Sequence, residues 1–345
     1  MGKKVKNKDI ADKLGVSSTL VSLVLNNKAD QHGIRKDTQE RVLALARQMG
    51  YFDLQKSENE ISPVEEKPGL IGMIIPAQCD PFIYKIAPYL EKAFMSIGVG
   101  FSLIARDIDD RRYNRLMHSL KKFYTGLILV GDTADEQTVR YLRSSSYPFV
   151  LLEKSMKTLP LNSVCTDNSE GARRVTNHIN KLGYRNIIII KRSVEFPAKE
   201  HPMFEILKES LTNLPDIKTP AVVEVENLSS GMELDFGQLE KYLRPPFSAE
   251  LMIVLQSDLV YPVMAAFRKR NLRIPQDIAL ISMEEGIGFD LLFSPVTCLR
   301  KPLPAMSLKL ANMIWSEVKN SGKGKYKRQV NLSPDLVVRN SCGAL

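Results

Sequence analysis

Ser17, Ser18, Thr19 and Ser22 place four short hydroxyl side chains within two turns of a potential helix. Such groups donate and accept hydrogen bonds without bulk. At a helix N-terminus they stand beside unpaired backbone N–H groups and the positive end of the helix dipole, so phosphate oxygens and base edges can approach closely. The surrounding charge has the matching sign. Residues 1–52 hold ten Lys and Arg against five Asp and Glu, a net +5, out of +9 for all 345 residues. A basic region of this kind suits a polyanionic partner. An ordinary three-helix bundle, or one used for protein contacts, would satisfy the same pattern.

Other residue types that carry chemistry are dispersed. Cys79, Cys165, Cys298 and Cys342 form no Cys-x-x-Cys pair, and His32, His118, His178 and His201 show no ligand spacing, so no metal site is expected. Gly322-Lys323-Gly324-Lys325 lacks the spacing of a phosphate loop. Gly286-Ile287-Gly288 lacks the third glycine of a dinucleotide fingerprint, and no G-x-S-x-G elbow occurs. The expectation is a protein that is not an enzyme and needs no cofactor. The basic Met1–Lys4 run has no apolar stretch behind it, and no apolar run approaches the roughly 18–20 residues that span a bilayer. A cytoplasmic chain with reduced, buried thiols and no membrane partner is therefore expected.

Three helices must position the hydroxyls. Asn7 is a candidate cap for the first, whose apolar face is Ile10, Ala11 and Leu14, and Gly15-Val16 breaks it. Ser17 is a candidate cap for the second, which turns Val21, Val24 and Leu25 inward. The third, near 37–49, contributes Val42, Leu43, Ala46 and Met49 and stops at Gly50. Residues 53–68 follow as a linker rich in polar residues and proline, with five acids against two lysines over 53–67. From residue 69 onward, short apolar runs (70–75, 99–105, 126–130, 149–152, 164–166, 186–191, 221–225, 251–255 and 278–282) alternate with amphipathic stretches such as 84–96, 111–122, 169–181 and 260–270. This alternation predicts an α/β body of parallel sheets flanked by helices, with ligands at the carboxyl ends of the strands.

The segment Asp9-Ile10-Ala11…Gly15-Val16-Ser17…Val21-Ser22-Leu23-Val24-Leu25-Asn26 resembles the helix-turn-helix head of the lac repressor family, and the likeness continues through Thr38, Val42 and Gly50-Tyr51. In the body, Asp167-Asn168-Ser169-Glu170-Gly171-Ala172, His178-Ile179, Gly183-Tyr184-Arg185 and Pro334-Asp335-Leu336-Val337-Val338-Arg339-Asn340-Ser341 are similar to signatures of the same family. The resemblance implies a periplasmic-binding-protein-like body of two lobes, crossed three times by the chain. Mapped onto this sequence, one lobe is 69–163 plus 297–326 and the other is 164–296 plus 327–342.

By the same resemblance, Ser18 and Thr19 read base edges in the major groove, while Ser17, Ser22, Asn26 and Thr38 contact or brace against phosphate. Arg35 and Lys36, read from their charge, either add affinity for the DNA backbone or are simply solvated. The family often has Arg where this chain has Leu23. Its loss removes a bidentate guanine contact worth about 1–3 kcal/mol of discrimination, so an atypical operator is expected. The family's hinge-helix signature is missing from 53–68, and an acidic linker is repelled by phosphate, so a weak or absent hinge helix is expected.

The matching effector pocket comprises Asp80, Phe82, Arg106, Asp107, Glu153, Ser257, Asp258 and Glu284, with the family's sugar-clamping Arg falling near Glu200. The implied protein is a homodimeric, ligand-responsive repressor acting on double-stranded operator DNA, with a carbohydrate-derived effector. A constitutive regulator with a non-sensing pocket and a solute-binding protein are the alternatives.

Overall fold

The computed structural model describes residues 6–25, 29, 32–49, 69–76, 81–106, 113–156, 159–193, 201, 203–225, 237–322 and 328–344. The chain divides into two compact units, Met1–Pro68 and Gly69–Leu345. The acidic linker and the hinge-helix expectation lie outside the described residues.

The first unit contains α1 (Asn7–Leu14), α2 (Ser18–Leu25) and α3 (Lys36–Gln48). Ile10, Ala11, Val21, Val24, Val42 and Ala46 form its buried core with Ala29, and Leu14, Val16, Leu25, Leu43 and Met49 pack around them. Asn7 is inside α1 and not its cap. The backbone amide of Lys6 donates to Asp9 Oδ2 at 2.6 Å, which moves the helix start one residue earlier. Gly15 ends α1 at φ 65°, a left-handed conformation that a Cβ would strain.

The second unit holds two six-stranded sheets. Its strands are β1 (Leu70–Pro76), β2 (Gly100–Arg106), β3 (Gly126–Val130), β4 (Phe149–Leu152), β5 (Ser163–Thr166), β6 (Ile187–Arg192), β7 (Ala221–Val225), β8 (Leu251–Val254), β9 (Ala279–Ser282), β10 (Thr297–Arg300), β11 (Gln329–Leu332) and β12 (Asp335–Val337). The first sheet runs β11-β5-β4-β3-β1-β2 and is parallel throughout. The second runs β12-β10-β9-β8-β6-β7, with only β12 antiparallel to its neighbour. Helices cover both faces, so the central strands are buried almost end to end and read as continuous apolar runs. The helices are α4 (Pro81–Met95), α5 (Tyr113–Phe123), α6 (Glu136–Ser144), α7 (Asn168–Leu182), α8 (Phe204–Thr212), α9 (Gly237–Leu243), α10 (Val260–Lys269) and α11 (Leu303–Lys319). Each sheet thus has an apolar core on either side.

The chain passes between the sheets three times, after β5, after β10 and after β11. This differs from the lobe limits expected from the sequence. β5 belongs wholly to the first sheet, and so does β11, whereas β10 belongs to the second. The crossings therefore fall at the ends of these strands, at 167, 301–302 and 333–334. α11 then returns to the first lobe, burying Met306, Leu310 and Ile314 in the same core as Ile86 and Leu90 of α4. At the first crossing Asp167 caps α7 by accepting from the Glu170 amide at 3.0 Å. Gly171, one turn in, lets α7 approach the other crossings: a Cβ there would lie 3.0 Å from Pro334 Cγ.

Among the described residues of this unit, five carboxylates are held below the ordinary range. Burial pushes Asp135 up, but hydrogen bonds from Thr138 and Arg106 outweigh it. Burial likewise opposes the net lowering of Glu284 and Glu285. Hydrogen bonds from Arg173 and Arg174 lower Glu170 to about 2, and those of Arg273 lower Asp277 to about 2. A carboxylate lowered by folding stabilises the native state above its unfolded value and loses that contribution as pH falls through the folded one. The melting temperature of the full chain is therefore expected to decline progressively below pH 4.5 and to show no matching loss from these groups between pH 5 and 8. Calorimetry across that range checks it.

Candidate functional site

The hydroxyls singled out in the sequence are organised by α2. Ser17 precedes the helix, and its Oγ accepts from the Leu20 amide at 3.2 Å, so the expected cap is present. Ser17, Ser18 and Thr19 are exposed together at the N-terminus of α2, while Val21 and Val24 anchor the opposite face. Ser22 and Leu23 are half-buried one turn further on, as is Thr38 near the start of α3, and Arg35 is exposed just before α3. Asn26 lies outside the described residues. Ser17→Ala removes the cap and is expected to cost the first unit about 1 kcal/mol, read as a lower midpoint in chemical denaturation.

A second feature lies between the two lobes of the Gly69–Leu345 unit. A cavity of about 530 Å³ opens at the carboxyl ends of the strands. Each chain crossing delivers residues to its wall: Thr166 and Asn168 from the first, Lys301 from the second and Pro334 from the third. Phe82, at the start of α4, offers an aromatic face, and Lys301 Nζ stands 4.5 Å from its ring centroid.

The charged groups of this wall are paired. Glu153 Oε1 accepts from the amide and hydroxyl of Thr166 at 3.0 and 2.7 Å, and its Oε2 faces Lys301 Nζ at 3.5 Å. Asp258 accepts from Arg192 at the end of β6. Asp132, following β3, bonds Lys154 at 2.7 Å. Glu284 accepts from the Ser257 amide at 3.2 Å and faces His201 Nε2 at 3.7 Å. The Met203 amide donates to His201 Nδ1 at 3.3 Å, which leaves the ring proton on Nε2, directed at Glu284. Burial opposes the charge on Glu284, but His201, Lys301 and the Ser257 amide together keep it ionised.

The lobes also touch beside the cavity. Lys85 of α4 donates to the backbone carbonyl of Glu285, whose carboxylate is held by Arg300 at 2.6 Å and Arg339 at 3.3 Å. Glu284, in the cavity wall, and Glu285, in the clasp, are adjacent in the chain.

Comparison with known proteins follows the division into units. Residues 7–52 match the model of bacterial regulatory proteins of the lacI family, and residues 176–342 match the periplasmic binding protein-like domain. The chain thus joins a lacI-family head to a periplasmic binding protein-like body. A relative along nearly its whole length is the HTH-type transcriptional regulator DegA of Bacillus subtilis, 22% identical and covering 98% of each chain. In fold, the chain is similar to the lac repressor dimer bound to operator and the anti-inducer ONPF, at a TM-score of 0.65 and 19% identity, covering 98% of this chain and 99% of that one. It is also similar to the lacI-family regulator CCPA of Weissella paramesenteroides with bound sucrose, at a TM-score of 0.65 and 11% identity, covering 79% of this chain and 98% of that one.

Of the pocket residues expected from the sequence, Phe82, Glu153, Ser257, Asp258 and Glu284 converge on the cavity. Arg106 does not line it. Its Nη1 turns into the first lobe, donating to the Thr133 carbonyl at 2.9 Å and to Asp135 at 2.8 Å, so it braces the turn after β3. Asp80, Asp107 and Glu200 lie outside the described residues. Sequence reasoning missed Asp132, Arg192, His201 and Lys301. Two of these carry a legible signal: Asp132 follows a strand end closely and Arg192 is itself the last residue of its strand, where ligands of such sheets bind.

Proposed function

We propose that this protein is a lacI-family, cytoplasmic, ligand-responsive repressor that binds a near-palindromic operator as a homodimer. The observation that carries the reading is the exposed Ser17-Ser18-Thr19 edge at the start of α2, within residues matched to the family's DNA-binding region. Short hydroxyls at that end place hydrogen-bonding groups within reach of phosphates and base edges, and the net positive charge of residues 1–52 supplies attraction to the duplex.

The homodimer is supported by exposed apolar side chains on both lobes. Ile287, Leu291 and Phe293 follow β9, and Tyr84, Tyr89 and Met95 lie on α4, with Leu291 84% exposed. The effector site is the inter-lobe cavity. The sucrose bound in the Weissella regulator supports a carbohydrate-derived ligand here. Ligand-driven change in lobe geometry, acting through the Glu284–Glu285 segment and the Lys85 clasp, is the coupling step, and such coupling is typically about 1–3 kcal/mol. In this scheme the cavity's carboxylates act as hydrogen-bond acceptors and not as catalytic groups.

The test is binding of the full chain to fragmented genomic DNA, followed by sequencing. A near-palindromic site enriched at least tenfold is expected, and enrichment should disappear in the Ser18→Ala, Thr19→Ala double variant. No enriched site, or one retained by that variant, would overturn the reading. A full chain whose operator affinity responds to no sugar would instead leave a constitutive regulator.

A further inference from the structure

We infer that the effector is a positively charged polyhydroxyl compound, an amino sugar in its simplest form, with its ammonium directed to Glu284. This rests on the reading of the inter-lobe cavity as the effector site. Among the described lining residues, the carboxylates Asp132, Glu153, Asp258 and Glu284 outnumber the fixed cations Arg192 and Lys301. Both cations already face acids, Arg192 toward Asp258 and Lys301 toward Glu153. An acidic or phosphorylated sugar would have to take a cation from its partner and leave a carboxylate uncompensated in a partly desolvated space, which is costly.

Glu284 differs from the other three. Asp132, Glu153 and Asp258 each face a lysine or arginine, whereas among the described residues the groups bonded to or facing the Glu284 carboxylate are the Ser257 amide and the imidazole of His201. Lys301 acts on it only as a more distant charge. Its oxygens are thus held in place by a backbone amide and an imidazole and retain acceptor capacity toward the cavity. A ligand ammonium supplies the direct contact with a primary cation that the other three carboxylates have, through a charge-assisted hydrogen bond. The remaining wall suits hydroxyls and a sugar face. Asn168 and Gln256 provide amide donors and acceptors, and Phe82 provides a ring against which C–H groups pack.

The experiment is isothermal calorimetry on the full-length protein with D-glucosamine, D-galactosamine and D-mannosamine. Their neutral parents, N-acetyl-D-glucosamine, D-glucuronate and D-glucose 6-phosphate complete the panel. At least one amino sugar should bind ten times or more tighter than its neutral parent, the acetylated form should lose that advantage, and the two anions should give no heat of binding. Glu284→Gln should bring the ratio of amine to parent close to one. Glu153→Gln, with the Lys301 charge then released, should weaken the amino sugar as well. A ratio is read, so partial loss of fold does not mimic the result. A neutral or anionic sugar that binds as well as the amines would overturn the charge inference and leave the effector cleft standing. No binding by any member would overturn both.

Discussion

Val21→Asp is expected to abolish DNA binding while leaving the ligand response of the body intact. Val21 is wholly buried in α2, where it meets the core that joins the three helices of the first unit. An unpaired carboxylate there has no cationic partner and costs several kcal/mol. A unit of this size has a total stability of only about 3–5 kcal/mol, so the substitution consumes most or all of it. The expected result is at least a hundredfold loss of operator affinity. The larger unit, with its own four apolar cores, keeps its calorimetric transition and its heat of ligand binding. Retained DNA binding by this variant would mean that α2 is not the reading element.

Phe267→Ala is the complementary change. Phe267 is fully buried on α10, within the core that includes Val254, Val263, Ile274 and Leu280. Truncating a buried aromatic side chain costs about 3–5 kcal/mol. For a unit of this size the melting temperature should fall by on the order of 10 °C, and the loss should be confined to the second unit. α10 continues directly from the short turn Ser257–Leu259, which brings Ser257 and Asp258 to the cavity. Weaker ligand binding should therefore accompany the lower melting temperature, while the transition of residues 6–49 remains. A variant that lost DNA binding and ligand binding in equal measure at low temperature would argue against the independence of the two units.

The fold was legible wherever a strand or helix carried its own pattern. Strands β3 and β8 are unbroken apolar runs and β6 opens with four isoleucines, because helices cover both faces, and the helical stretches between them show one apolar side. Strands β10, β11 and β12 gave no such signal. They are three or four residues long, and β11 and β12 are exposed or half-buried along their length, so neither hydrophobic run nor length marks them. The limits near β10 and β11 were misplaced with them, while the first limit cut off β5, which the sequence did mark but the family mapping assigned to the other lobe. In the head, the Ser17 cap and the buried faces of all three helices were readable, while the start of α1 was set by the Lys6 amide reaching Asp9 and not by the residue type at position 7.

The cleft divides in the same way. Glu153, Ser257, Asp258 and Glu284 were placed through the family resemblance, and the fold brings them together. His201 and Lys301 were not legible, because His201 pairs with a residue 83 positions away in the chain and Lys301 reaches Glu153 across 148 positions. The second crossing brings Lys301 to Glu153, whereas the shared sheet of β6, β8 and β9 brings His201 to Glu284. Arg106 looked like a ligand contact by position, yet a buried guanidinium is most stable where a carbonyl and a carboxylate of its own lobe meet it.

The central claim is that residues 6–49 read DNA and that the body alone does not. Fluorescence anisotropy of a labelled duplex carrying the enriched genomic site, titrated with the full chain and with the 69–345 fragment, tests it most directly. Saturable binding by the full chain, weakening as salt rises, is predicted, with affinity of the fragment lower by at least a hundredfold. A fragment that retained the full chain's affinity would contradict the account.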